Sequence, residues 1–353
     1  MRYADPDKIK SYQTELWQEC NNLCAYCYLG QENRKTPDSV KEESLRIFLK
    51  KLDSFDFENY NNISFIGGEF FQGQLSTPEI KRLFMEIMNK VHCFMKEGKL
   101  RSVWITATLT IGDQPELYEV IEMFKDIEID PEDRQKGLWI CTSYDVIGRF
   151  HSDKMLETWQ THMLKMHNDY PFVKLNTTII VMGKLCDMYL DNKFSFREFI
   201  DKYNTAIFLK QPGSGTLNDE RERDVSNPKD LERLKKVIME ERVPGMFPKR
   251  KLFLKFLTKF AKEEPELYDR LYNIEYRADV LVRNFNSIDR LDKSFERDKH
   301  AVIEDQASTC INDCGHIIEY AAYIDCDNCA ICDRNEVWEA VHGAHHKLFG
   351  IKE

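Results

Sequence analysis

Eight of the eleven cysteines fall into two tight groups. In "QECNNLCAYCYLG" (18–30) Cys20, Cys24 and Cys27 lie within eight positions. Three thiolates so close in sequence wrap one small object. A structural zinc site usually takes four protein ligands. A [4Fe–4S] cluster has four irons, so three cysteines leave one iron open, where amino and carboxylate groups of a small molecule can bind. In "CINDCGHIIEYAAYIDCDNCAIC" (310–332) the second group is Cys310, Cys314, Cys326, Cys329 and Cys332. Tetrahedral sulfur sites suit zinc or an iron–sulfur cluster. A zinc ribbon would use Cys310, Cys314, Cys329 and Cys332, with His316 able to join. The other cysteines, Cys93, Cys141 and Cys186, sit in apolar patterns and read as core. "HGAHH" (342–346) reads as a solvated helix, having no matching carboxylate.

The elements that must position these thiols alternate. Strand-like runs at 12–18, 61–69, 102–110, 137–145, 172–182 and 206–215 are separated by helical patterns at 39–52, 77–95, 114–127, 152–167 and 195–204. In 77–95, Thr77 can cap, Pro78 suits the first turn, and Ile80, Phe84, Ile87, Val91 and Phe94 form a stripe. Six β/α units predict a parallel sheet with crossover helices, two short of a full barrel. A polar linker follows at 211–230, and residues 228–300 are helix-rich and charged. Within them, "KRKLFLKFLTKFAKE" (249–263) sets Lys251, Lys255, Lys259 and Lys262 opposite Phe253, Phe256, Leu257 and Phe260. Such a face is either solvated or a track for phosphates.

The chain is 42% hydrophobic and 31% charged, an ordinary soluble composition. No signal-peptide core opens it and no apolar run suffices for a membrane span. These features predict an intracellular protein with reduced thiols, whose clustered cysteines are ligands rather than disulfides. The net charge of −10 argues against a surface coated in basic residues, though not against a local basic groove.

Cys20-x3-Cys24-x-Tyr26-Cys27, directly after the first strand, resembles the signature of the radical S-adenosylmethionine (radical SAM) enzymes. "FIGGEFF" (65–71), at the end of the second strand, resembles their Gly-Gly-Glu motif. The resemblance implies an α/β fold, a partial (β/α)6 barrel over residues 1–225, followed by a helical segment (226–300) and a Cys-rich module (301–353). It implies a [4Fe–4S] cluster with an open iron, S-adenosylmethionine as cofactor, and a flavodoxin- or ferredoxin-like one-electron reductant. It places Tyr26 near the adenine, Gly67 and Gly68 where backbone approaches ligand, and Glu69 on the cofactor's amino group. Ser143 and Asp145 in "TSYDVIGRF" (142–150) would contact ribose or carboxylate, and Arg149 the methionyl carboxylate. Thr106 or Thr108, and Asn176, could also face the cofactor. The implied reaction is reductive cleavage to a 5′-deoxyadenosyl radical, which takes a hydrogen atom from the substrate. No catalytic acid or base is identified.

The C-terminal cysteines resemble the twitch or SPASM extensions that carry an auxiliary [4Fe–4S] cluster, with Asn328 where a glycine is expected. The zinc ribbon remains the alternative. For the substrate, the lysine face and open barrel favour a modified nucleobase, most concretely a hypermodified thymidine in DNA, handled by an isomerase-like enzyme of the bacteriophage type. Such an enzyme would be virus-encoded and act in the host cytoplasm. A peptide-modifying maturase is the competing reading. A zinc-ribbon nucleic-acid-binding protein would leave the first cysteine motif unexplained.

Overall fold

The structure is a computed structural model; it describes residues 11–22, 24–27, 35–128, 130, 133, 136–210, 212, 220–222, 224–226 and 228–265. The second cysteine group, the 342–346 histidines and the whole 301–353 module lie outside the described residues.

Six strands form one sheet: β1 (Ser11–Glu15), β2 (Asn62–Ile66), β3 (Ser102–Thr106), β4 (Gly137–Tyr144), β5 (Lys174–Ile180) and β6 (Thr205–Lys210). They pair in sequential order and every pairing is parallel. The connecting helices are α1 (Asp38–Asp53), α2 (Pro78–Lys96), α3 (Pro115–Met123), α4 (Asp153–Asp169), then α5 (Gly183–Leu190) and α6 (Phe196–Tyr203) together between β5 and β6. Helices α7 (Pro228–Arg242) and α8 (Arg250–Glu263) follow. With right-handed crossovers, sequential parallel pairing puts the crossover helices on one face of the sheet. The α/β class with six sequential parallel strands is thus as expected. Among the described residues no pairing of β6 with β1 closes it.

Strand alternation assigns the two faces. Neighbours in register on the helix side include Ile63, Val103 and Leu138, and then Phe65, Ile105, Ile140 and Leu175. All are at most 4% exposed and share one core with Leu45, Phe48 and Leu52 of α1 and Ile80, Phe84, Ile87 and Val91 of α2. Each such side chain contributes about 1.5–3 kcal/mol on burial. The other face differs. Its rows are Ser64, Trp104, Trp139 and Lys174, then Thr106, Cys141 and Asn176, then Ser143 and Thr178. This polar, tryptophan-bearing face is what a filled barrel would cover with aliphatic layers.

Local chemistry explains most helix starts. Thr77, Ser152 and Ser195 each accept a hydrogen bond from the amide three residues on, at the heads of α2, α4 and α6. Helix α5 was not expected. It is eight residues long, starts at a glycine and has no side-chain cap. Its first amides are satisfied from far along the chain: Gly183 N donates to Met246 O (3.3 Å) and Lys184 N to Gly245 O (3.0 Å). Two further expectations are corrected. Cys93 is exposed, because it stands about 200° around α2 from the buried Val91. In α8, Phe253, Phe256 and Phe260 are buried against α5 and α6, but Lys259 is no free cation. Its ammonium donates to the carbonyls of Tyr189 (3.0 Å) and Leu190 (3.2 Å), capping the C-terminus of α5. Among the described residues no helix is long and apolar enough to cross a membrane.

Candidate active site

The C-terminal ends of β1 to β4 carry most of the residues singled out by the sequence, at the edge where parallel α/β sheets place their sites, while Asn176 lies inside β5. The cysteine loop leaves β1 through Leu16, Trp17, Gln18 and Glu19. Two backbone bonds hold it against the end of β2: Gly68 N donates to Trp17 O (3.0 Å) and Glu69 N to Glu19 O (2.7 Å). The glycines are therefore required by the chain itself. A Cβ on Gly68 would stand 2.1 Å from Glu19 O, and one on Gly67 2.3 Å from Glu15 Cγ. Gly67 also has φ +112°, which L side chains rarely adopt. Beside them Lys41 of α1, 2% exposed, reaches Glu19 Oε2 at 2.7 Å and fixes the residue before Cys20.

Glu69 is fully buried. One carboxylate oxygen accepts from the amides of Phe70 (3.0 Å) and Phe71 (2.9 Å), the other from the amide of Thr108. Burial raises its pKa and these hydrogen bonds oppose the rise. The Thr108 side chain adds a fourth hydrogen bond, the strongest of those opposing the rise, which fills the roughly four lone-pair sites of a carboxylate. Glu69 thus joins the end of β2 to the loop after β3.

That loop contains a strained residue, Leu109, at φ 59° and fully buried. On either side of it, Thr108 and Thr110 both accept from Gln72 Nε2, Thr110 at 2.7 Å. Thr110 in turn donates to Asn22 Oδ1 (2.8 Å), between the first two cysteines. Asn22, Gln72 and Thr110 went unnoticed in the sequence. Isolated polar residues carry no spacing signal, and only burial at 5–6% exposure marks them.

The third side is the end of β4. Tyr26 Oη donates to Asp145 Oδ2 (2.6 Å), and Arg149 N donates to Asp145 Oδ1 (3.2 Å). The Arg149 guanidinium donates to Thr108 O (3.0 Å), and its other terminal nitrogen stands 3.8 Å from Cys24 Sγ. Ala25 N donates to Gly148 O (3.1 Å), tying the two loops by their backbones. Burial pushes the Asp145 carboxyl up to about 6, with Tyr26 and Arg149 opposing. Of the remaining sequence candidates, Ser143 and Thr106 are half-buried on the inner face of the sheet. Asn176, in register with Cys141, donates weakly to its sulfur (3.9 Å).

The three thiols fit one bound group by donor chemistry. Cys20 and Cys24 are half-buried, and burial raises both thiols, Cys20 to about 12. Glu69 and the neighbouring thiols Cys24 and Cys27 add to the Cys20 shift as like charges. Among the described residues, no three His, Cys, Asp or Glu side chains form a compact cage for a single ion. Around them, buried polar atoms lack partners: Asn22 Nδ2, Gln72 Oε1 and Arg149 Nε, with Asn176 Oδ1 likewise open inside β5. Donors and acceptors left open at a site fit a polar ligand, because an unpaired buried group otherwise costs about 1–3 kcal/mol.

No family model and no curated protein sequence matches the chain. Among solved structures, it is similar to Streptococcus suis SuiB bound to S-adenosylmethionine: 13% identity, 79% of this chain, 58% of that chain, TM-score 0.41. It is also similar to native anSMEcpe with bound AdoMet, at 14% identity, 77% and 64% coverage and TM-score 0.37. A third is the FeFe-hydrogenase maturase HydG from Carboxydothermus hydrogenoformans, at 12% identity, 75% and 77% coverage and TM-score 0.23. The chain spans less than two thirds of the SuiB and anSMEcpe chains.

Proposed function

We propose that this chain is a radical SAM enzyme, with a [4Fe–4S] cluster held by Cys20, Cys24 and Cys27 and S-adenosylmethionine beside it. The observation that carries the reading is the clamped cysteine loop. Three thiols after β1 are pinned by Gly67-Gly68-Glu69 on one side and by Tyr26, Asp145 and Arg149 on the other. Bound there, cluster and cofactor would supply one-electron cleavage of the sulfonium and a 5′-deoxyadenosyl radical that removes a hydrogen atom from substrate. The chain's own part is positional. Glu69 supplies a buried carboxylate that would face an amino group. Arg149 Nε and Asn22 Nδ2 offer donors, and the buried surroundings strengthen each contact by keeping water out. The reduced protein, incubated anaerobically with S-adenosylmethionine, is expected to form 5′-deoxyadenosine, and Cys24→Ala to form none. Equal output from that variant would overturn the reading.

For the substrate we favour a nucleobase, most concretely a modified thymidine in DNA, with an isomerase-like outcome. The open barrel and the polar inner face of the sheet support this. Trp104 and Trp139, 5.8 Å apart at a 48° tilt, lie deeper on that face, toward the N-terminal ends of β4 and β5. The lysine face of α8 supports it less, since Lys259 caps α5. Deuterium exchange into modified DNA, tested beside candidate peptides, decides the substrate. Exchange into peptide alone would replace the nucleobase by the maturase reading.

A further inference from the structure

We infer that Arg149 raises the reduction potential of the cluster through Cys24, while Asp145 lowers it. The inference rests on the cluster reading above. Both residues are buried, at 6% and 1% exposure. They close a ring of contacts with the cysteine loop. Tyr26, two residues after Cys24, donates to Asp145. Asp145 accepts the Arg149 amide, and the Arg149 guanidinium returns to Cys24 Sγ at 3.8 Å. The Thr108 carbonyl, 3.0 Å from the other terminal nitrogen, fixes the plane of the guanidinium and so aims the first nitrogen at the sulfur.

The electrostatics follow from the charges. Adding an electron makes a thiolate-ligated cluster more negative. A cation donating to a ligand sulfur favours that state, and a nearby carboxylate disfavours it. Solvent ions screen such buried charges much less than exposed ones. A clamp that merely held the loop would give no reason for opposite effects from the two residues. Arg149 is thus a positioning residue acting through Cys24, in addition to any donation from its Nε to the cofactor.

The test is a mediator-poised redox titration of the reconstituted full chain without S-adenosylmethionine, read by electron paramagnetic resonance. The signal followed is the one whose shape changes when S-adenosylmethionine is added, which separates it from any second cluster. Arg149→Met is expected to make reduction about tenfold less favourable, a fall of 59 mV for a one-electron couple. Asp145→Asn is expected to shift it in the opposite direction, and Arg149→Lys to fall less than Arg149→Met. If Arg149→Met fails to load iron, Asp145→Asn and Arg149→Lys decide alone. Potentials within threefold of wild type, or shifts of one sign in both residues, overturn the inference. A wild-type protein with no signal responsive to S-adenosylmethionine overturns the underlying cluster reading, and the inference with it.

Discussion

Gly68 shows how tightly single residues are constrained. Its missing side chain lets Glu19 O approach to within 2.1 Å of where a Cβ would stand, and that neighbour is backbone, which cannot rotate away. Gly68→Ala is therefore expected to destabilise the protein by about 1–3 kcal/mol, the range for forced overpacking, and to lower iron content after reconstitution. Gly112, with open space around its would-be Cβ, is the control: Gly112→Ala should match wild type in Tm and iron content. Equal behaviour of the two variants would show that the β1–β2 loop contact is not needed. The sequence disclosed the motif and its place at a strand end, but not its partner. Gly-Gly is a local pattern; the need for it arises about fifty residues earlier, at Glu15 to Glu19.

Helix α4 and the loop after β3 meet through one histidine. His162 contacts Ile111 O through Nε2 (2.6 Å) and the Tyr118 hydroxyl through Nδ1 (2.7 Å), so a neutral ring can donate to the carbonyl and accept from the phenol. Burial lowers its pKa, the Ile111 carbonyl opposes this, and Lys165 lowers it further. A folded pKa below the unfolded value of about 6.5 means that the unfolded chain binds the proton first. Stability is then complete above about pH 6.5 and declines as pH falls toward the lowered folded value. Chemical denaturation at pH 7.5 and 5.5 should show this decline in wild type and a smaller one in His162→Gln; equal declines would acquit the histidine. Elements with their own caps, such as α2 with Thr77 and Pro78, were legible from sequence. Helix α5 was not, because Gly245 and Met246 satisfy its amino end and Lys259 its carboxyl end. The strand ends were overrun for a related reason: the β-rich run 102–110 leaves the sheet after Thr106, where buried Leu109 turns to positive φ and the threonines turn to Gln72.

At the scale of the molecule, the sheet offers an apolar face to its helices and a polar face to whatever enters the barrel. The class of fold was readable from the alternation of β-rich and helical runs, whereas the division of faces emerges only with the strand register. The proposed metal of the C-terminal cysteine group is a separate question. With Cys20, Cys24 and Cys27 all replaced by Ala, the chain is expected to retain about four irons and sulfides if Cys310 to Cys332 hold an auxiliary cluster; about one zinc with no iron would establish a ribbon instead. The central claim concerns the first group, and one spectrum addresses it directly. The reduced full-length protein is mixed with S-adenosylmethionine carrying 15N in its amino group, and the nitrogen hyperfine coupling to the cluster is measured by pulsed electron paramagnetic resonance. The account predicts a coupling that switches from the 14N to the 15N pattern with the label, because in the proposed reading the amino group would bind the open iron. A cluster signal with no coupling to the label, or a protein that binds zinc and gives no signal, would contradict it.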